Sequence, residues 1–178
     1  MWKLGIGTLL IVATQAYADG IEITEQPHHV SEGRVILDAT PAEIYDLVTS
    51  YGRWRTILSD IRSVTVESGD RDHARVRFSS RALEHTVTVQ FDNVPGRSIS
   101  FRGVKGPPGG RASGNYQLVP VDGGKRTQVI AKLYMDVVGA PSLFVRDKTI
   151  RNMRRAKLQA DLSDMSSYFA ARKQTSKR

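Results

Sequence analysis

From Ile61 to Val138 apolar residues fall at every second position, the period of a strand with one face buried. Ala74, Val76 and Phe78 alternate with Arg75 and Arg77, and Val87, Val89 and Phe91 alternate with Thr86, Thr88 and Gln90. Ile99 and Phe101 follow the turn at Pro95-Gly96. The segments NYQLVPV and TQVIAKLYMDVV continue the pattern, the second with Val129, Ala131, Leu133, Met135 and Val137 on one face. Turn residues separate the runs at Gly69-Asp70, in the Gly- and Pro-rich stretch 103–114, and at Asp122-Gly123-Gly124. Six strands joined so closely predict an antiparallel meander, with Val89, Phe91, Phe101 and Leu133 pointing inward.

The period differs on either side of this block. GRVILDA, residues 33–39, predicts one more strand, with Val35, Leu37 and Ala39 sharing a face. Thr40, Pro41 and Glu43 then stand where an N-cap, a first helical position and a capping-box acid belong. Ile44, Leu47 and Val48 form the stripe of that helix; Gly52 ends it, and Trp54, Ile57 and Leu58 predict a second short one. After Gly139-Ala140-Pro141, with Ser142 as cap, residues 142–172 predict one helix about 45 Å long. Leu143, Phe144, Ile150, Met153, Leu158, Leu162, Met165, Tyr168 and Phe169 occupy one broad side of it. The fold class is α+β: a curved seven-stranded antiparallel sheet around a long C-terminal helix, with two short helices after the first strand. One helix against so wide a sheet leaves room for an apolar cavity, the usual form of a small-molecule site.

The ends of the chain read differently again. Residues 1–18 combine Lys3, the apolar run LGIGTLLIVA and Ala16-Tyr17-Ala18, the pattern of a secretory signal cleaved before Asp19. The run is too short for a span of about 20 residues. The chain has no cysteine, which excludes a lipid-modified cysteine and disulfides. Export to a periplasm or medium is therefore expected. Residues 19–32 are a lead-in segment, residues 33–172 the domain, and residues 173–178 a basic tail. At 178 residues, 40% hydrophobic and 25% charged, the chain has the balance of one globular domain held by packing.

VILDATPAEIYDLVTSYGRW and GAPSLFVRDKTIRNMRRAKLQADL resemble the START-like, helix-grip superfamily, which includes polyketide cyclases and coenzyme-Q-binding START proteins. Val35, Ala39, Pro41, Ile44, Tyr45, Tyr51 and Trp54 match the pattern of similar proteins, while Ser50 and Arg55 stand where an aspartate and a proline are usual. The resemblance implies a helix-grip fold and a hydrophobic ligand of the lipid or quinone class. Its motifs are structural, so it implies no catalytic residue.

The residues by themselves are sparing with chemistry. His28-His29 has no third metal ligand at a diagnostic spacing, and Glu84-His85 point to opposite faces of a strand. No cysteine nucleophile or Gly-x-Ser-x-Gly motif is present, and GVKGPPGGRASG lacks the pattern of a phosphate loop. No cofactor, no metal and no catalytic group are expected; an exported carrier or sensor for a hydrophobic small molecule is favoured over a cyclase- or dehydratase-like enzyme using the same cavity and over a ligand-free interaction module. The expected cavity residues are Trp54, Phe78, Phe91, Phe101, Tyr116, Leu133, Met135, Ile150, Met153 and Arg154. A solidly filled core is the alternative for the apolar ones. Arg154 falls amid the apolar side of the helix, and an arginine is rarely buried unpaired; Asp147 or a ligand head group would meet it, or the helix would turn it to the rim, and the rim or the Asp147 pair is favoured.

Net charge is +8, and Arg146, Lys148, Arg151, Arg154, Arg155 and Lys157 cluster in one stretch of helix. Export argues against nucleic acid as the partner. An anionic membrane surface fits the cluster, and a solvated basic face is the alternative. A monomer is expected.

Overall fold

A computed structural model describes residues 20–81, 85–139 and 146–175. The expectations for residues 1–18, for the Ala140-Pro141 turn, for the Ser142 cap with Leu143 and Phe144, for Glu84, and for residues 176–178 lie outside the described residues. Eight strands form one sheet: β1 Glu22–Gln26, β2 Val30–Leu37, β3 Ile61–Gly69, β4 His73–Ser80, β5 Thr86–Val94, β6 Ser98–Lys105, β7 Gly110–Val121 and β8 Arg126–Val137. Their order across the sheet is β1-β2-β8-β7-β6-β5-β4-β3. Every neighbouring pair is antiparallel. The meander therefore runs in sequence order from β3 to β8, and β2 closes it by pairing with β8.

Seven strands were expected, and the eighth is β1, which lies in the stretch read as a lead-in segment. It pairs with β2 from Glu22 opposite Arg34 to Gln26 opposite Val30. The hairpin turn is unusual. His28 and His29 adopt φ of 62° and 59°, the left-handed region where glycine or asparagine is the common choice. Without Asn-Gly or a similar signal, and with most of its side chains exposed, β1 has little to mark it in the sequence.

The helices follow their caps. In α1, Pro41–Val48, the Thr40 hydroxyl accepts from the Glu43 amide at 3.3 Å while the Glu43 carboxylate accepts from the Thr40 amide at 2.9 Å. This box is worth about 1 kcal/mol and sets the chain direction as it leaves β2. A single 3₁₀ turn, Tyr51–Arg53, leads into α2, Trp54–Ile57. The long helix α3, Asp147–Thr175, packs on β1, β2, β8 and α2. Its approach to β2 depends on Gly33, where a Cβ would stand 2.7 Å from Leu162 Cδ1. At α2, Asp164 accepts from the Ser59 amide at 2.7 Å and from its hydroxyl at 3.0 Å, which ties α2 to α3.

The inward faces follow the period-two pattern. Val35, Leu37, Ala74, Val76, Val89, Phe91, Ile99, Val129, Ala131 and Leu133 are buried on the sheet. Ile150, Leu158, Leu162, Met165 and Phe169 are buried on α3.

Candidate ligand-binding cavity

Burial on both sides does not fill the space between them. A cavity of about 280 Å³ lies between α3 and the sheet, close to the lower end of the ~300–1,000 Å³ range of small-molecule sites. Trp54, Phe78, Phe91, Phe101 and Tyr116 line it, as do Leu133, Met135, Ile150 and Met153. Leu47, Ile57 and Met165 bound one end; the exposed residues Val104 and Lys105 at the end of β6, with Gly106 just after it, stand at the other, which is the mouth.

The aromatic wall is a continuous run of rings. Trp54 meets Phe78 at 5.7 Å and Phe91 at 5.6 Å between ring centres, Phe91 meets Phe101 at 5.9 Å, and Phe101 meets Tyr116 at 6.2 Å. These separations lie in the favourable range for aromatic pairs. Trp54 is held by its indole N–H, which donates to the Val48 carbonyl at 2.8 Å. Phe101 lies over Gly114, its cross-strand partner: a Cβ there would come within 2.4 Å of the ring. The missing side chain lets the ring lie along the sheet instead of standing in the cavity.

One polar cluster interrupts the apolar lining. Asp161 on α3 accepts from the Tyr116 hydroxyl at 2.9 Å through Oδ2 and from Lys157 Nζ at 2.6 Å through Oδ1. All three residues line the cavity. Burial pushes the Tyr116 phenol well above its ordinary pKa, and the Asp161 charge and hydrogen bond push it the same way. Tyr116 is thus a neutral hydrogen-bond donor throughout the physiological range. Sequence reasoning placed Tyr116 in the cavity but read Lys157 as part of the basic cluster and left Asp161 without a role. The available signal was their i, i+4 spacing within a stripe that runs Ile150, Met153, Lys157, Asp161, Met165.

Arg154 corrects the sequence reading twice. It does not line the cavity, and its partner is not Asp147. The guanidinium is buried, donating to Ser31 Oγ at 3.0 Å, to the Met135 carbonyl at 3.2 Å and to Glu25 Oε2 at 3.1 Å. Ser31 in turn donates to Glu25 Oε1 at 2.8 Å. Burial would raise the Glu25 pKa, but the hydrogen bonds from Ser31 and Arg154 and the nearby charges of Arg154 and Arg155 outweigh it and hold the carboxyl below its ordinary value. The partner was hidden because Glu25 sits on the unrecognised strand β1.

The basic cluster is therefore not one surface. Arg154 is internal, Arg155 approaches Glu25 at 3.7 Å, and Lys157 faces the cavity, while Arg146, Lys148 and Arg151 are exposed near the start of α3. Among the described residues no group of three or more histidines, aspartates or glutamates is placed to hold a metal ion.

This architecture has relatives. A family model described as polyketide cyclase/dehydrase and lipid transport matches residues 28–170. The chain belongs to that family. Among solved structures, the Zhui aromatase/cyclase from Streptomyces sp. R1128 is similar at a TM-score of 0.68 and 19% identity, over 80% of this chain and 94% of that one. A START superfamily protein from Mycobacterium smegmatis matches at a TM-score of 0.70 and 12% identity, over 80% and 98%. The di-domain aromatase/cyclase StfQ of the steffimycin biosynthetic pathway matches at 0.70 and 13%, over 81% of this chain and 51% of that chain. No curated protein matches the sequence. The family spans cyclases and lipid-transport proteins, and its fold is the helix-grip fold of hydrophobic-ligand binders, with eight strands here where seven were expected.

Proposed function

We propose that this protein is an exported carrier or sensor that takes up a hydrophobic small molecule, of the lipid or quinone class, in the cavity between α3 and the sheet. The observation that carries the reading is the cavity itself: about 280 Å³, walled by aromatic and aliphatic side chains, and bounded at its mouth by exposed residues. Binding would be driven by moving the apolar part of the ligand out of water, at roughly 25 cal/mol per Å² buried. The signal-like residues 1–18 support export to a periplasm or medium, where the mature chain starts at Asp19 and acts as a monomer. The exposed Arg146, Lys148 and Arg151 support loading from an anionic membrane surface.

The direct test is native mass spectrometry of protein purified from its own compartment, followed by lipid extraction. An adduct released by solvent is the expected result. A ligand-free protein that takes up no apolar probe would overturn the proposal. N-terminal sequencing of the same material tests export, since a protein still starting at Met1 would remove it.

A second reading, a cyclase- or dehydratase-like enzyme, is favoured by one observation: the Tyr116–Asp161–Lys157 cluster brings a phenol, a carboxylate and an ammonium to an otherwise apolar wall. Groups of this kind can move protons on a bound substrate. Turnover of an aromatic or polyketide-like substrate that is lost in Tyr116→Phe would favour it over the carrier.

A further inference from the structure

The polar groups of the cavity are unevenly satisfied. Five charged residues line it: Lys105, Arg111 and Lys157 against Asp136 and Asp161. Both carboxylates are already engaged at both oxygens. Asp161 accepts from Tyr116 and Lys157. Asp136 accepts from the Tyr134 hydroxyl at 3.3 Å and from the Val137 amide at 2.8 Å. The cations are less occupied. An ammonium has three N–H donors, and the hydrogen bond to Asp161 uses one of those on Lys157. Tyr116 has a single O–H, and Asp161 takes it. The lining therefore has spare donors on Lys157, while every oxygen of its two carboxylates already accepts one hydrogen bond, and its charged residues sum to one positive charge in excess.

The placement matters as much as the count. Lys157 sits between Met153 and Asp161 on the helix stripe, with Trp54, Leu47 and Met165 deeper in the cavity and Lys105 and Arg111 toward the β6–β7 turn. A tail directed at Trp54 would leave a head group between Lys157 and the mouth. The exposed Lys105 and Arg111 draw an anionic head group to the mouth, where water screens them, and the half-buried Lys157 inside it has the lower-dielectric position that discriminates between head groups.

We infer that the cavity selects a monoanionic amphiphile, an acyl chain ending in a carboxylate, with the acid group held by Lys157 and assisted by Lys105 and Arg111. This rests on the cavity being the binding site proposed above and names the chemical class of its occupant. Neutral acceptors such as ketones or quinones would use the same donors but would leave the excess charge unanswered. Cationic amphiphiles are disfavoured.

Isothermal titration calorimetry with decanoate, decanol and decylamine tests the inference at neutral pH. Wild-type protein is expected to bind decanoate about tenfold more tightly than decanol, the scale of one charge-assisted hydrogen bond, and decylamine most weakly. Lys157→Met should abolish the preference while decanol binding persists, and Lys157→Arg should keep it. Lys105→Gln, at an exposed position where folding is not at stake, should weaken decanoate about twofold and leave decanol unchanged. Equal binding of decanoate and decanol, or a preference that survives Lys157→Met, would overturn the inference and leave the cavity reading standing. If none of the three probes binds, the cavity reading falls and the inference with it.

Discussion

Helix α3 meets the sheet in two different ways, and one glycine stands behind each. At β2, Gly33 lacks the side chain that would hold the helix off, so Leu158 and Leu162 come down onto the strand and are buried. Further across the sheet, Gly114 lacks the side chain that would lift Phe101, so the ring lies along β7 and Ile150, Met153 and Lys157 face a cavity. The same absence of a Cβ closes the structure in one place and opens it in another. What differs is the neighbour that moves into the vacated space: a helix in the first case, a ring from the adjacent strand in the second. Binding capacity in this fold therefore depends on which partner each small residue admits.

The contrast is sharpest in truncations. Leu162→Ala should cost about 2–5 kcal/mol in urea unfolding, because a close-packed site collapses poorly. Met153→Ala, beside existing empty space, should cost less than 2 kcal/mol by the same measure, and an apolar ligand should recover part of that loss. Equal costs would mean that the two halves of the interface are packed alike.

The anchor at the closed side comes next. Glu25→Ala leaves the buried Arg154 guanidinium with only Ser31 and the Met135 carbonyl as acceptors and should cost about 1–3 kcal/mol. Because the folded Glu25 pKa lies below its ordinary value, its contribution is present above pH ~4.3 and is lost as pH falls through the lower folded value. The gap in stability between wild type and Glu25→Gln should therefore be wider at pH 7 than at pH 3. A gap that stays constant across this range would remove Glu25 as the charged anchor.

The glycines themselves give the third comparison. Gly33→Ala should cost about 1–3 kcal/mol, since the new methyl meets the end of a flexible leucine. Gly114→Ala should cost at least as much, because its Cβ would also stand 2.6 Å from the Lys132 carbonyl oxygen. Only the second should also reduce uptake of an apolar probe, as the Phe101 ring is driven into the cavity. Retained uptake in Gly114→Ala would separate cavity shape from that glycine.

The smallest effect concerns the exposed cations. Arg151→Gln should weaken co-sedimentation with anionic vesicles by about 1 kcal/mol at low salt, and the difference should vanish at high salt. Arg154 has no place in that experiment, since it is buried in the anchor. Indistinguishable sedimentation at low salt would leave Arg146, Lys148 and Arg151 as a solvated face.

The legible parts of the chain are those whose cause is local. Thr40, Pro41 and Glu43 announce α1 because a capping box is completed within one turn. The alternation through Val89, Phe91 and Phe101 gives register and inward face because a strand repeats every two residues. Nine of the expected cavity residues share that inward space because each lies on a recognised apolar face. Three features resisted the same reading. β1 has a histidine turn in place of a hairpin signature. Arg154 and Glu25 are brought together only by the pairing of β1 with β2 and the docking of α3. Lys157 and Asp161 resemble an ordinary surface ion pair until Tyr116 arrives from β7.

Sequence alone thus determined the strand faces, the two short helices, the long helix and the resemblance to a helix-grip family, since propensity, caps and period act between near neighbours. Tertiary structure decided where the helix lies against the sheet, which charges are inside, and that empty space remains between apolar faces. These depend on distances between residues far apart in the chain, such as Gly33 to Leu162 and Phe101 to Gly114, and no local pattern encodes whether two buried faces touch or stand apart.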